Sequence, residues 1–499
     1  MLKSFNCVVV GYSAKRSKQF FIHNAVKSPI TAIAFNREGK LLATGESGKS
    51  PKVRIWSVET HSQLFEFSGH NYRVGALAFS HNSRFVVSVG SQEDTSINVW
   101  ELNTNTKMAS SKVTSKVIAI AFSEAGQFFV TVGVRHVRFW YLDNSRSKVS
   151  KATTPLLGRS AILGDFMNNT FTDVGCCCLN SGSGSGQMTS SMCSSFTSST
   201  NQSYTYVISQ AGQLMQFTEQ RYLDKWVELR TPKATCLTVC ESCIMVGCSR
   251  GIILIFDTSS LNHIATLPMP HYLGINLQNP SDNDFNANNE PVRYPDVVAG
   301  KYDHVHSRIT CFYNDHSIYV WDVRDFRKPA KVVSHLYHSG GVWSVEPVSI
   351  LTKEKSLLDV TSFITCSDDE TVRFWHLSDS NLTASHSKTE NISAQWENDY
   401  SKDLIKIIYT DPGLKSLIEA DRNSAPDLVL FCSASRDRVI HVMDPTQNYK
   451  WIQTIDDHSG AIFAAKLVET PNDQEIRLIS CGMDKSLLFR ILQVNIVYN

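Results

Sequence analysis

The sequence predicts an all-β protein made of two β-propellers in tandem, and three observations carry that expectation. One strand ending recurs, in Val53-Arg54-Ile55-Trp56, Ile97-Asn98-Val99-Trp100, Val137-Arg138-Phe139-Trp140, Ile318-Tyr319-Val320-Trp321 and Val372-Arg373-Phe374-Trp375. Each runs apolar, variable, apolar, Trp, which is the period-two pattern of a strand. The first three Trp stand 44 and 40 residues apart, matching a four-stranded blade of roughly 40–45 residues. Weaker copies end at Phe217, Phe256, Met443 and Arg490, and a partial blade is expected at Cys7 to Tyr12. One propeller rarely exceeds about eight blades, so this count requires two. A chain of 499 residues is long enough for two or more domains of roughly 100–200 residues each.

Taken in order, Met1 to Lys27 carries Lys3, Lys15, Arg16, Lys18 and Lys27 and no acid, the composition of a transit peptide. Asn6 to Tyr12 and Gln19 to Ile22 nevertheless read as two strands joined by a basic turn, so a strand pair and a cytoplasmic address are expected. Blades then follow to Trp140. Leu179 to Ser203, LNSGSGSGQMTSSMCSSFTSSTNQS, is too poor in apolar residues to fold alone and is expected to be an insertion loop. A second loop, rich in Asn, Asp and Pro, is expected over Asn276 to Glu290. The clearest blade runs from Gly341 to Trp375, where GVWSVE is followed by FITCSDDETVRFW.

Polar residues recur with the blades. His338, Thr365, Asp369 and Trp375 have the spacing of the WD-repeat tetrad, in which a His, a hydroxyl, a turn Asp and the Trp satisfy one another inside the blade. His70, Ser88, Asp94 and Trp100 repeat the set with two extra residues in the turn, and His458, Ser480 and Asp484 repeat three of the four, with Arg490 in the Trp position. Asp315 and Asp437 stand six residues before Trp321 and Met443. These His, Ser and Asp residues are read as structural rather than as a Ser-His-Asp catalytic set.

Composition limits the remaining classes. With 48 basic and 47 acidic side chains the net charge is +1, which gives no bulk field for nucleic acid or anionic lipid. No stretch reaches 18 consecutive apolar residues, so no membrane helix is expected. Thirteen Cys form no repeating framework. Cys236, Cys240, Cys243 and Cys248 lie in an apolar strand pair and lack two clean zinc knuckles, so buried thiols are expected and no metal or other cofactor. His304, His306 and His316 are read as ordinary propeller histidines. Sequons at Asn168, Asn201, Asn381 and Asn391 are chance matches if the chain is cytoplasmic. Phosphate-loop, zinc-protease, nucleophile-elbow and kinase signatures are all missing from the sequence. SGSGSGQ at Ser181 to Gln187 has neither the strand before it nor the helix after it that a phosphate loop needs. The weight moves to binding, and no enzyme is expected.

Longer strings carry a more specific likeness. ATGESG at Ala43 to Gly48, RHVRFWYLD at Arg135 to Asp143, PLLGRSAILGDFMNNTFTDV at Pro155 to Val174, LDKWVELRT at Leu223 to Thr231, YNDHSIYVWDVRD at Tyr313 to Asp325 and SASRDRVIHVMD at Ser433 to Asp444 resemble the mitogen-activated-protein-kinase-binding WD-repeat scaffolds. That family includes the spindle-pole WD-repeat protein linked to brain growth. The resemblance implies tandem seven-bladed propellers, with a near-complete first propeller over 1–335 and a truncated second over 336–499. It also implies binding to c-Jun N-terminal kinase and its upstream kinase, association with spindle poles and centrosomes, and no catalytic residue. Against the family's pattern, four further blades and a long tail that carries kinase docking segments are missing. One of those blades would fall between Tyr409 and Leu428, where 18 residues cannot hold about 40. A shortened isoform or an incomplete gene model is therefore expected, with its exposed blade faces covered by a partner such as a longer copy of itself.

Two function classes follow. In one, the chain is a signalling scaffold that holds kinases or spindle-pole proteins together. In the other, it is a microtubule-binding tandem-propeller module, for which Lys225, Arg230 and Lys233 would supply a basic surface. A propeller hydrolase ranks last.

Overall fold

The computed structural model describes residues 2–5, 7–13, 18–23, 28–142, 154–179, 202–271, 273, 293–347, 362–369, 371–376, 404–409, 414–421, 429–444, 450–469 and 476–492. Among the described residues ten sheets follow one another, antiparallel but for one added strand, spanning 2–23, 30–68, 74–112, 117–160, 171–228, 234–266, 297–335, 342–409, 414–455 and 462–492. They are numbered here as blades one to ten. The fold is all-β, of the tandem-propeller class that the Trp spacing predicts. Each blade is a meander whose strands pair in chain order, because short connections between neighbours close quickly and leave no crossing. Blade three gains a fifth strand, Thr154–Pro155, parallel to Thr106–Lys112.

All nine predicted endings lie on third strands, among them Lys52–Ser57, Ser96–Glu101, His136–Tyr141, Thr371–His376 and Leu487–Leu492. Second strands are the most apolar. Phe85–Gly90, Phe128–Gly133 and Cys243–Cys248 are buried along their whole length, since a strand in mid-blade is covered on both faces by its neighbours. Fourth strands such as Gln63–Ser68 and Leu223–Glu228 are largely exposed. Between second and third strands one residue takes a left-handed conformation, as at Thr95, Arg135, His316, Arg438 and Lys485, with φ between 50° and 79°. At the Trp position the pairing to the fourth strand slips by one residue, between Ile55 and Trp56, Val99 and Trp100, Val320 and Trp321, and Phe374 and Trp375. Such bulges sharpen the twist of the outer edge.

Contacts divide the chain into two compact units, residues 1–268 with 297–302, and 269–296 with 303–499. The expected boundary at residue 335 falls one blade later. The inner strand of blade seven counts with the first unit, where Val297 O and Gly300 O accept the hydroxyls of Thr235 and Thr238, at 2.5 and 2.7 Å. In the first unit the apolar clusters lie between blades. Phe67, Val86 and Trp100 join blades two and three, Val99, Phe129 and Trp140 join three and four, and Phe139, Phe171 and Phe217 join four and five. In the second unit Phe374 meets Phe431 between blades eight and nine, and Val442, Leu478 and Leu492 join nine and ten.

Three expectations change in detail. The partial blade at 7–12 is a three-stranded sheet of Leu2–Phe5, Val8–Ser13 and Lys18–His23. The ends of the insertion at 179–203 are strand, with Leu179 paired to Gln202, and its interior lies outside the described residues, as does the loop at 276–290. Leu414–Asp421, inside the stretch too short for a blade, is the inner strand of blade nine.

Blade ten has three strands among the described residues, and the alternate residues Leu487, Phe489 and Ile491 of its edge strand are more than half exposed. Fully buried strands exchange their amides only through large openings. Amides of Ile476–Gly482 are therefore expected to exchange faster than those of Phe85–Gly90 in native-state hydrogen exchange; equal protection would contradict the account.

Candidate functional site

Three sets of polar residues singled out by spacing are brought together. In blade three, Asp94 Oδ2 lies 2.7 Å from His70 Nδ1, His70 Nε2 lies 2.7 Å from Ser88 Oγ, and Trp100 Nε1 lies 2.8 Å from the same Oγ. The carboxylate can only accept, so Nδ1 carries the proton, Nε2 accepts from the hydroxyl, and the hydroxyl accepts from the indole. One donor chain runs from Trp through Ser and His to Asp. Blade eight repeats it through Trp375, Thr365, His338 and Asp369, at 2.7, 2.7 and 2.9 Å. Blade ten has His458 between Ser480 at 2.8 Å and Asp484 at 2.9 Å, with Arg490 in the Trp position.

The order of atoms in these relays is that of a Ser-His-Asp catalytic triad. Two features separate them from one. Ser88 is fully buried and His70 and Asp94 have no exposed side-chain surface, so no electrophile reaches the hydroxyl. The indole also occupies a lone pair that a nucleophile would use. Burial pushes the His70 and His338 imidazoles below their ordinary value despite the neighbouring carboxylates. Burial likewise opposes ionisation of Asp369, but hydrogen bonds from His338 and Thr371 and the charge of Arg373 outweigh it and hold the carboxyl well below the usual range.

Other blades solve the same problem with residues that spacing did not reveal. In blade four His136, on the third strand itself, meets Thr131 Oγ1 at 2.8 Å beside Trp140. In blade two Arg54 pairs with the buried Glu46 at 2.7 Å and with Glu66. In blade seven Asp315 binds His271 Nε2 at 2.9 Å, and the other ring nitrogen of His271 lies 3.0 Å from the Tyr319 hydroxyl. His271 stands 44 residues before Asp315, across the insertion at 276–290, where a fixed spacing cannot find it. Asp437 Oδ1 accepts the Val439 N–H at 3.0 Å.

Cys236, Cys240, Cys243 and Cys248 are buried on Ala234–Val239, its turn and Cys243–Cys248. No group of three potential metal ligands occurs among the described residues. His306 pairs with Asp303 on the surface at 2.7 Å, and His316 Nδ1 lies 3.0 Å from the His338 carbonyl oxygen. Lys225, Arg230 and Lys233 are exposed; Lys225 Nζ donates to Ser259 O at 2.9 Å, and the exposed acids Asp224 and Glu228 interleave with the basic residues.

The strings GRSAILGDF and LDKWVELRT, far apart in sequence and outside the repeat pattern, meet on the first unit. Ile162 N–H donates to Arg221 O at 3.0 Å, Ile162 bridges to Tyr222, and the rings of Phe166 and Trp226 meet edge to face with centroids 5.1 Å apart. With the adjoining Met167 and Tyr222 they present Ile162, Met167, Tyr222 and Trp226 to solvent, 50, 62, 54 and 49% exposed. Arg159, Arg221 and Asp165 border them. An exposed apolar patch with a polar rim is the usual form of a protein-binding surface.

Comparison with known proteins agrees with this architecture. A family model described as "WD domain, G-beta repeat" matches residues 15–57 and 61–101. Mitogen-activated protein kinase-binding protein 1 is 41% identical in Mus musculus and 40% identical in Homo sapiens, over 98% of this chain and 35% of each relative. WD repeat-containing protein 62 of Mus musculus is 39% identical over 98% of this chain and 34% of its own length. The chain thus spans about a third of the curated relatives it matches.

Removing the central hydroxyl tests the relays. Ser88→Ala removes the acceptor of the Trp100 indole N–H, leaving His70 Nε2 only Asn98 Nδ2 at 3.3 Å, and is expected to cost about 1–3 kcal/mol, with Ser88→Thr restoring most of it. Thermal unfolding followed by tryptophan fluorescence reads this, and an unchanged Ser88→Ala would remove the relay from the account. A second test uses Asp173, whose oxygens accept the N–H groups of Val174 and Leu237 at 2.8 and 2.7 Å between blades five and six. Burial raises its carboxyl from 3.8 to about 6, the two N–H groups and Lys301 opposing. The folded state thus holds this proton more tightly than the unfolded chain, so its contribution is present below pH 3.8 and is lost as pH rises through about 6. Relative to Asp173→Asn, the native chain is expected to lose about 2 kcal/mol between pH 4 and pH 7. A pH-independent gap would contradict it.

Proposed function

Because the chain belongs to the WD-repeat family that includes mitogen-activated protein kinase-binding protein 1 and WD repeat-containing protein 62, we propose that it is a non-catalytic scaffold that binds a mitogen-activated protein kinase. The observation that carries this reading is the exposed rim of Ile162, Met167, Tyr222 and Trp226. Tyr and Trp anchors contribute most where they are solvent-exposed in the free protein and desolvated on binding. The relays of blades three and eight, which have the atoms of a catalytic set, are buried inside their blades. A platform of this kind acts by raising the effective concentration of bound partners.

By the same family membership the proposal extends to a cytoplasmic address and to association with spindle poles and centrosomes. The alternative, a microtubule-binding module, needs a continuous basic face. Asp224 and Glu228 interrupt the one that Lys225, Arg230 and Lys233 would form, so the scaffold is preferred.

Titration of the purified 499-residue chain against c-Jun N-terminal kinase tests the proposal. Saturable binding is expected, weakened about tenfold or more in a Met167→Ser, Tyr222→Ser double variant whose melting temperature is unchanged. No binding by the folded chain would sink the kinase reading. Equal binding by the variant would remove the rim from it.

A further inference from the structure

Blade six holds a pair of thiols that neither the relays nor the exposed rim uses. Its first two strands are joined by Cys240-Glu241-Ser242-Cys243. Cys240 N–H donates to Cys243 O at 2.9 Å, one step beyond the Val239–Ile244 pair. The two cysteines therefore face each other as the last pair of the ladder, with side chains on one face of the sheet. Cα atoms of such a hydrogen-bonded pair lie about 5.5 Å apart, within the window of about 4.4–6.8 Å that a disulfide spans. Both thiols are buried beneath a turn whose two residues, Glu241 and Ser242, are exposed. A third thiol, Cys177 of blade five, donates to Cys240 O at 3.5 Å, so this corner is also part of the junction between blades.

We propose that Cys240 and Cys243 form a redox modification site, a dithiol that a peroxide converts into an intrachain disulfide and a small dithiol reductant restores. The geometry selects this pair from the buried thiols: Cys236 lies against Gly247 and Val297 instead. The two thiols also differ in acidity. The hydrogen bond from Cys240 holds the Cys243 thiol below its ordinary value against the effect of burial, while the same bond and burial push Cys240 up. Cys236 is pushed up to about 12 by burial. Cys243 thus loses its proton first.

The Cys243 thiolate attacks one oxygen of hydrogen peroxide, the O–O bond breaks, and the departing hydroxide takes up the proton that Cys243 released, giving water. The resulting sulfenic acid is attacked at sulfur by Cys240. The S–O bond breaks, the S–S bond forms, and hydroxide leaves with the Cys240 proton as a second water. Two thiols lose two electrons and one peroxide gains them.

The test treats the folded 499-residue chain with hydrogen peroxide at a level that leaves its circular dichroism unchanged. Remaining thiols are alkylated and the digest is mapped by mass spectrometry. The expected result is one peptide lacking two hydrogens, with Cys240 joined to Cys243, formed about tenfold faster than any modification of Cys236 or Cys248 and reversed by dithiothreitol. In Cys240→Ser, Cys243 should instead pass to oxidised acids that dithiothreitol does not reduce. If that variant fails to fold, the native map decides alone. Alkylation of Cys240 and Cys243 to the same extent as Cys236, a disulfide to a different cysteine, or irreversible oxidation in the native chain would each overturn the proposal.

Discussion

Everything in this molecule follows from a sheet that is apolar on both faces. A four-stranded blade with strands such as FVVSVG and FFVTVG cannot be stable alone, because burying one face leaves the other in water. The solution is to stack blades, and the apolar clusters accordingly lie between sheets rather than within them. Trp100 and Trp140 each fill such an interface, contributing the large buried area that makes the stack worth its loss of entropy. Stability is then shared between neighbours, and a blade with one covered face is the weak member.

Burial creates a second requirement. Each indole N–H that enters an interface must find an acceptor. In blades two, three, four and eight a hydroxyl on the second strand supplies it, whereas Trp321 Nε1 in blade seven has no such partner among the described residues. In blades three and eight His and Asp satisfy the hydroxyl in turn. The blades meet this demand in different ways. Blades three and eight use the full set, blade four brings His136 from its own third strand, and blade two closes its buried edge with Arg54 and Glu46. Identical chemistry at an exposed site would be a nucleophile. Here it is a fastening.

How much of this was readable in the sequence depended on range. The strand endings and the relays of His70, His338 and His458 were legible because partners lie a near-constant distance apart along the chain. His271 was not, since an insertion separates it from Asp315. His136 was missed because it comes from the opposite side of the hydroxyl. Contact between Phe166 and Trp226 had no sequence signal at all beyond the fact that both sit in strings outside the repeat. Equally hidden were the two Thr hydroxyls that bond the inner strand of blade seven to the blade before it.

The pairing of Leu179 with Gln202 also bears on how this protein changes over generations. The two ends of the intervening segment are pinned one strand spacing apart, so the blade is indifferent to what joins them. Lengthening a connection between two paired residues costs free energy only as the logarithm of its length, about 0.6 kcal/mol for each doubling. Residues can thus be gained, lost or rewritten there without disturbing the register of a single strand. Novelty can accumulate at that edge of the propeller while the stack beneath it stays under strict constraint.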